Sequence, residues 1–165
     1  MQARKCYGFS LIEVMVVLFI IGILSFLVVP RIPYFSSESK LKNEARKFAG
    51  FVRYLRGLAA TENQNYRLNF DLDENKYWVS YSDEKGEEIK LTADMIPEVT
   101  LKQGITIKEV QTPGKLPAKE GRTSILFFAS GENEGPEILY STEKNRILHL
   151  KIHPLTARCK VWWEN

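Results

Sequence analysis

Histidine and cysteine are both scarce in this chain: its 165 residues include two of each, His149 with His153 and Cys6 with Cys159. Two histidines four apart in a strand-like stretch would face one side. With no Cys, Asp or Glu beside them at ligand spacing, they make a weak metal signal. Also missing are a glycine-rich phosphate loop, a nucleophile elbow and a His-Glu metalloprotease helix. The expectation is therefore no catalytic residue, no cofactor and no metal, because an enzyme would have no residue set to rest on. Charge of one sign is lacking too. Lys and Arg number 23 against 20 Asp and Glu, a net +3 that is too small to imply nucleic-acid or anionic-membrane binding by bulk electrostatics. Disorder is disfavoured, since 44% of the chain is hydrophobic and 26% charged. The length suits one modest domain plus an anchor.

The apolar residues that are present crowd the N-terminus. Residues 1–8, Met-Gln-Ala-Arg-Lys-Cys-Tyr-Gly, carry Arg4 and Lys5 and no acid. From Val14 to Pro30 there follow 17 positions without a charge, and Phe9 to Ile12 extend the run on the other side of Glu13. At about 1.5 Å per helical residue this is just long enough to cross a thin or locally adjusted bilayer. The leading cations would keep the N-terminus cytoplasmic and place residue 31 onward across the membrane. A secretory signal peptide fits poorly, because the run is long and ends Val28-Val29-Pro30-Arg31 rather than at small residues. A plain signal anchor fits the charges and leaves Glu13 unexplained, since a carboxylate in hydrocarbon costs a few kcal/mol. A glutamate that merely snorkels to the interface is a further alternative.

Gly8-Phe9-Ser10-Leu11-Ile12-Glu13-Val14-Met15, after a short basic leader and before the apolar run, resembles the class III signal of type IV prepilins and type II secretion pseudoprepilins. The resemblance implies that a prepilin peptidase cuts between Gly8 and Phe9 on the cytoplasmic face, that Phe9 becomes N-methylated, and that the apolar helix stays in the membrane until drawn into a filament. Cutting removes Cys6 and leaves Cys159 without an intramolecular partner, expected as a small apolar side chain in a strand. Each proposed role has a physical basis. Gly8 lets a protease approach the scissile peptide closely. The new amine at Phe9 lies about one helical turn from Glu13, and an opposite-charge pair lowers the cost of burying either ion in an apolar bundle. Glu13 would thus set the register between subunits. Pro30 and Pro33 remove backbone donors where pilin helices are interrupted, either kinking the helix or, at Pro33, ending its first section.

Downstream, Leu41, Ala45, Phe48, Val52, Leu55 and Ala59 recur at steps of three and four, which predicts an amphipathic helix over Ser39–Ala60, with Ser36, Ser37 and Ser39 as N-cap candidates. Tyr66, Leu68 and Phe70, then Tyr77, Val79 and Tyr81, alternate about a polar turn at 71–75 and predict a hairpin. Further strands are expected at 88–91, 105–110, 124–128, 137–140, 146–152 and 158–163. The fold class is α+β: a long N-terminal helix, its first half transmembrane and its second amphipathic, packed on a C-terminal antiparallel β-sheet domain in the pilin manner. The divisions are 1–8 leader, 9–35 transmembrane and assembly helix, 36–60 amphipathic helix and 61–165 β domain.

Ile125 to Gly131, a hairpin, and Leu148 to Arg158 together look like the C-terminal pattern of H-type minor pseudopilins, with Ala157 where that family has glycine. A turn needing positive φ is therefore in question at Ala157. The chain also lacks the paired C-terminal cysteines of many major pilins and the acidic calcium loop of major pseudopilins; the acids at 71–74 are better read as a turn. The resemblance implies a structural subunit of a type II secretion pseudopilus. It would pass once through a bacterial inner membrane with its C-terminal domain periplasmic or extracellular, and its partners would be other pilins or pseudopilins, with prepilin peptidase as processing enzyme. The alternative is a minor type IV pilin of a pilus or competence system, touching DNA through Lys151, Arg158 and Lys160; salt-dependent DNA binding would distinguish it.

Overall fold

The computed structural model describes residues 10–27, 37–91 and 96–164, so Gly8, Phe9, Pro30 and Pro33 lie outside the described residues. The chain divides into two compact units, 1–34 and 35–165.

In the first unit, α1 runs Leu11–Leu27. The Ser10 carbonyl accepts from the amides of Glu13 (3.0 Å) and Val14 (3.3 Å), starting the helix. Glu13 in the first turn opposes the positive end of the helix dipole. At 17 residues α1 is about 25 Å long. Among the described residues no helix is long and apolar enough to cross a membrane; the uncharged run in the sequence continues to Pro30.

The second unit opens with α2, Ser37–Glu62, two residues longer at each end than its apolar pattern indicates. The stripe is fully used: Leu41, Ala45, Phe48, Val52, Leu55 and Ala59 are all at most 1% exposed. The helix stops where Asn63 turns left-handed (φ 51°) and the amide of Gln64 closes back on the Ala59 carbonyl.

Two antiparallel sheets follow, where the sequence pattern suggests one. The first is built from β1 (Tyr66–Asp71), β2 (Lys76–Ser82), β3 (Glu88–Lys90) and β6 (Arg122–Phe127) in the order β3-β2-β1-β6, with the two-residue β4 (Val99–Thr100) also on β2. The second is β5 (Ile105–Gln111), β7 (Glu137–Thr142), β8 (Ile147–Ile152) and β9 (Cys159–Trp163), in the order β5-β7-β8-β9.

The acidic turn is structural. Asp71 caps the β1–β2 hairpin by accepting the Glu74 amide at 2.9 Å, and its other oxygen accepts Arg122 Nε at 2.9 Å, across the β1–β6 pairing. Those two bonds, the amide first, hold its carboxyl below the usual carboxylate range. Asn75, left-handed at φ 56°, ties the two sheets together: its side chain donates to the Ile105 carbonyl and accepts from the Ile107 amide.

Between α2 and the sheets lies one aromatic cluster centred on Phe48. Its ring meets Tyr77 edge-on at 5.2 Å and sits 6.1 Å from both Phe70 and Tyr140, so one helical residue touches β1 and β2 of the first sheet and β7 of the second. Tyr140 is 1% exposed, and its hydroxyl has no hydrogen-bond partner among the described residues. Burial raises its pKa well above the phenolic value. A buried hydroxyl without a partner forfeits its hydration for nothing. Tyr140→Phe is therefore expected to raise stability by about 1 kcal/mol, read as a higher denaturation midpoint with an unchanged m-value; a lower midpoint would show that the hydroxyl is satisfied.

Candidate functional site

The candidate site is the assembly segment at the N-terminus. Of its five expected residues only Glu13 is among those described, so the structure does not bring Gly8, Phe9, Pro30 or Pro33 together with it. Glu13 is the one charged residue of α1 and is exposed. Around it the helix is apolar on every face: Leu11, Met15 and Phe19 are 78%, 64% and 70% exposed, and Val14, Val17 and Ile21 about half. A helix that is hydrophobic all round cannot be satisfied by water; it requires lipid or other apolar helices. A carboxylate on such a helix then needs a cation or a polar partner once the surface is covered. Geometry thus supplies an apolar rod with a single ion near its start, an arrangement suited to association.

Among the described residues of the β domain the two histidines are not brought together. His149 lies in β8, where its ring stacks on Trp162 at 5.2 Å and its Nδ1 is 2.7 Å from a Glu137 oxygen. His153 has left the strand. It sits in the turn after β8, its amide bonded to the Arg158 carbonyl, so the two histidines do not share a strand face as their spacing suggests. Among the described residues no three His, Cys, Asp or Glu gather as metal ligands. Cys159 is half-buried in β9, and burial pushes its thiol up to about 11, where little thiolate exists to react. Of the candidate DNA contacts, Lys151 lies 4.0 Å from Glu137 and Lys160 sits over the Trp162 ring.

Sequence patterning did not find a polar groove of about 360 Å³ on the outer face of the first sheet, lined by Asn69, Trp78, Ser80, Glu88, Lys90 and Arg122. Strand alternation puts Asn69, Trp78 and Ser80 opposite the core, but one wall of the groove comes from β6, whose pairing with β1 is non-local. Its cations are already matched, Arg122 with Asp71 and Lys90 with Glu98.

Residues 3–29 match the family described as a prokaryotic N-terminal methylation motif. Over 137 residues the chain is 29% identical to Type II secretion system protein H of Pseudomonas aeruginosa, spanning 78% of this chain and 79% of that one. The chain thus opens with a prepilin-type methylation motif and is similar over most of its length to a type II secretion protein. Two solved structures of the minor pseudopilin EpsH of Vibrio cholerae share its fold: one at TM-score 0.65 and 14% identity over 77% of this chain and 98% of that chain, the other at 0.56 and 16% over 74% and 95%. The α+β architecture expected from the sequence is therefore the one found, a helix stripe packed on antiparallel strands. The glycine-to-alanine departure also resolves. Ala157 adopts positive φ (52°) with its amide on the His153 carbonyl, so the turn into β9 forms with alanine in a conformation that costs about 1–2 kcal/mol for a residue bearing a Cβ.

Proposed function

We propose that this chain is a minor pseudopilin, a structural subunit of a type II secretion pseudopilus. It is held in the inner membrane by its apolar N-terminal segment and assembled into, or at the tip of, a periplasmic filament that drives protein export. One observation carries this reading: a prepilin-type start at residues 3–29 joined, in the same chain, to a domain that together with it resembles Type II secretion system protein H over 137 residues. On this reading residues 1–8 are the leader, 9–35 the membrane and assembly helix, 36–60 the amphipathic helix and 61–165 the β domain. Prepilin peptidase cuts between Gly8 and Phe9, Phe9 is N-methylated, Glu13 sets register, and Pro30 and Pro33 loosen the helix for extraction. The work is done by association with other pseudopilins, so no catalysis is required of the chain.

Processing tests the first step. Mass spectrometry of the chain extracted from membranes is expected to show an N-terminus at Phe9 carrying one added methyl group. Gly8 replaced by a bulky residue such as tryptophan should leave the leader attached, because the scissile bond no longer fits a close-approaching protease. An intact leader on the unaltered chain, in cells with active prepilin peptidase, overturns the processing step. Loss of export on deleting the gene, restored by the processed chain and with no salt-dependent DNA binding, separates the secretion role from a competence role.

A further inference from the structure

We infer that β9 is a docking edge for a second copy of this chain, pairing antiparallel with the copy's own β9 about Val161. The inference stands apart from the secretion reading and rests on how the four sheet edges differ.

An open strand edge presents unpaired amides and carbonyls and is normally blunted. Three of the four are. The outer edge of β5 is occupied by the 112–118 loop, where Val110 and Ala118 exchange both backbone bonds at 2.9 Å. The outer edge of β6 is occupied by the 128–134 loop: the Phe128 amide bonds the Glu132 carbonyl, and the Leu126 amide bonds the Glu134 carboxylate. The β3 edge is three residues long, with Glu88 and Lys90 at its ends. The β9 edge has none of these devices. It is five residues long, contains one charge, Lys160, and carries Val161 at 41% exposure between Lys160 and two tryptophans.

The ladder fixes which groups are free. The His153 amide bonds the Arg158 carbonyl, and the Glu164 amide bonds the Ile147 carbonyl, so even-numbered residues of this segment face β8. Alternation in an antiparallel ladder then directs the amides and carbonyls of Cys159, Val161 and Trp163 outward.

A strand laid antiparallel on this edge with Val161 opposite Val161 meets itself favourably at every position. Arg158 stands opposite Glu164, Cys159 opposite Trp163, and Lys160 opposite Trp162. Both ends therefore carry an opposite-charge pair, the outer face a cation beside an indole, and the inner face apolar side chains only. Arg158 and Glu164 are both exposed and have no ion-pair partner among the described residues. Shifting the pairing by two residues one way puts Lys160 opposite Lys160, and the other way it trades the Arg158–Glu164 pairs for Lys160–Glu164 and leaves Arg158 without an acid opposite it.

The test uses the full chain in membranes. In a Cys159→Ser background, Val161→Cys places two thiols in a hydrogen-bonded antiparallel pair whose Cα atoms are about 5.5 Å apart, within disulfide reach. Oxidation with copper phenanthroline is expected to give a dimer that a reducing agent dissolves. Adding Arg158→Glu alone, or Glu164→Arg alone, puts like charges opposite one another at both ends and should lower the dimer yield severalfold. Combining the two reversals should restore it. A chain that stays monomeric on oxidation, a yield indifferent to the single reversals or not recovered in the combination, or crosslinking only to a different protein would each overturn the proposal.

Discussion

Glu13→Val is expected to give a chain that still inserts and is still cut after Gly8, yet no longer joins its partners. If Glu13 were incidental, the change would remove a charge that costs a few kcal/mol in hydrocarbon and would improve retention. α1 argues against an incidental role. Its apolar side chains are exposed all round, so packing the helix among other apolar helices buries Glu13 beside them. If the carboxylate is matched there by an N-terminal amine at Phe9, removing it leaves that cation unpaired in an apolar bundle, at about 3–5 kcal/mol for breaking a buried pair. That is a loss of association on the order of a hundredfold or more. The readout is crosslinking to other pseudopilins together with export, because a subunit at the filament tip has no neighbour above it and could dispense with half of the contact. Wild-type crosslinking and export in Glu13→Val would return the chain to the class of plain signal-anchored domains.

How much of this was legible in the sequence depends on how local each signal is. The Gly8 to Met15 segment is a linear signal, and its resemblance needs no folding to be seen. The stripe from Leu41 to Ala59 is nearly as local, since helix contacts repeat every three or four residues, and all six of its members are buried. The alternation in β1 and β2 is equally visible, because the Asp71–Asn75 turn pairs adjacent strands. What escaped was set by partners distant in the chain. The division into two sheets depends on β6 joining β1 across fifty-one residues at the Asp71–Arg122 pair, and on Asn75 reaching β5. β4 has two residues, too few for a periodic pattern. His153 looked like a strand residue because nothing in its neighbourhood reports that the Asn133 side chain takes its carbonyl and that of Pro154. The positive φ at Ala157 ran against local preference and is held by the bonds between the 153–158 turn's own ends.

Phe48→Ala is expected to destabilise the 35–165 unit by about 3–5 kcal/mol. The ring is 1% exposed, and its removal takes away the transfer free energy of a full phenyl group while leaving a void among Phe70, Tyr77 and Tyr140. These neighbours belong to two sheets and cannot close the gap by moving one element. At roughly 3–5 °C per kcal/mol for a domain of this size, the melting temperature of the full chain in detergent should fall by about 10–20 °C, followed by near-ultraviolet circular dichroism. Phe48→Leu, which keeps most of the volume, should lose less than half as much. The pair of substitutions divides the chain's two capacities. Glu13→Val should leave that melt unchanged while removing association, and Phe48→Ala should lower the melt while leaving the proposed cleavage after Gly8 intact, since Phe48 lies in the other unit. A melt that drops with Glu13→Val, or one indifferent to Phe48→Ala, would overturn this division of roles between the two residues.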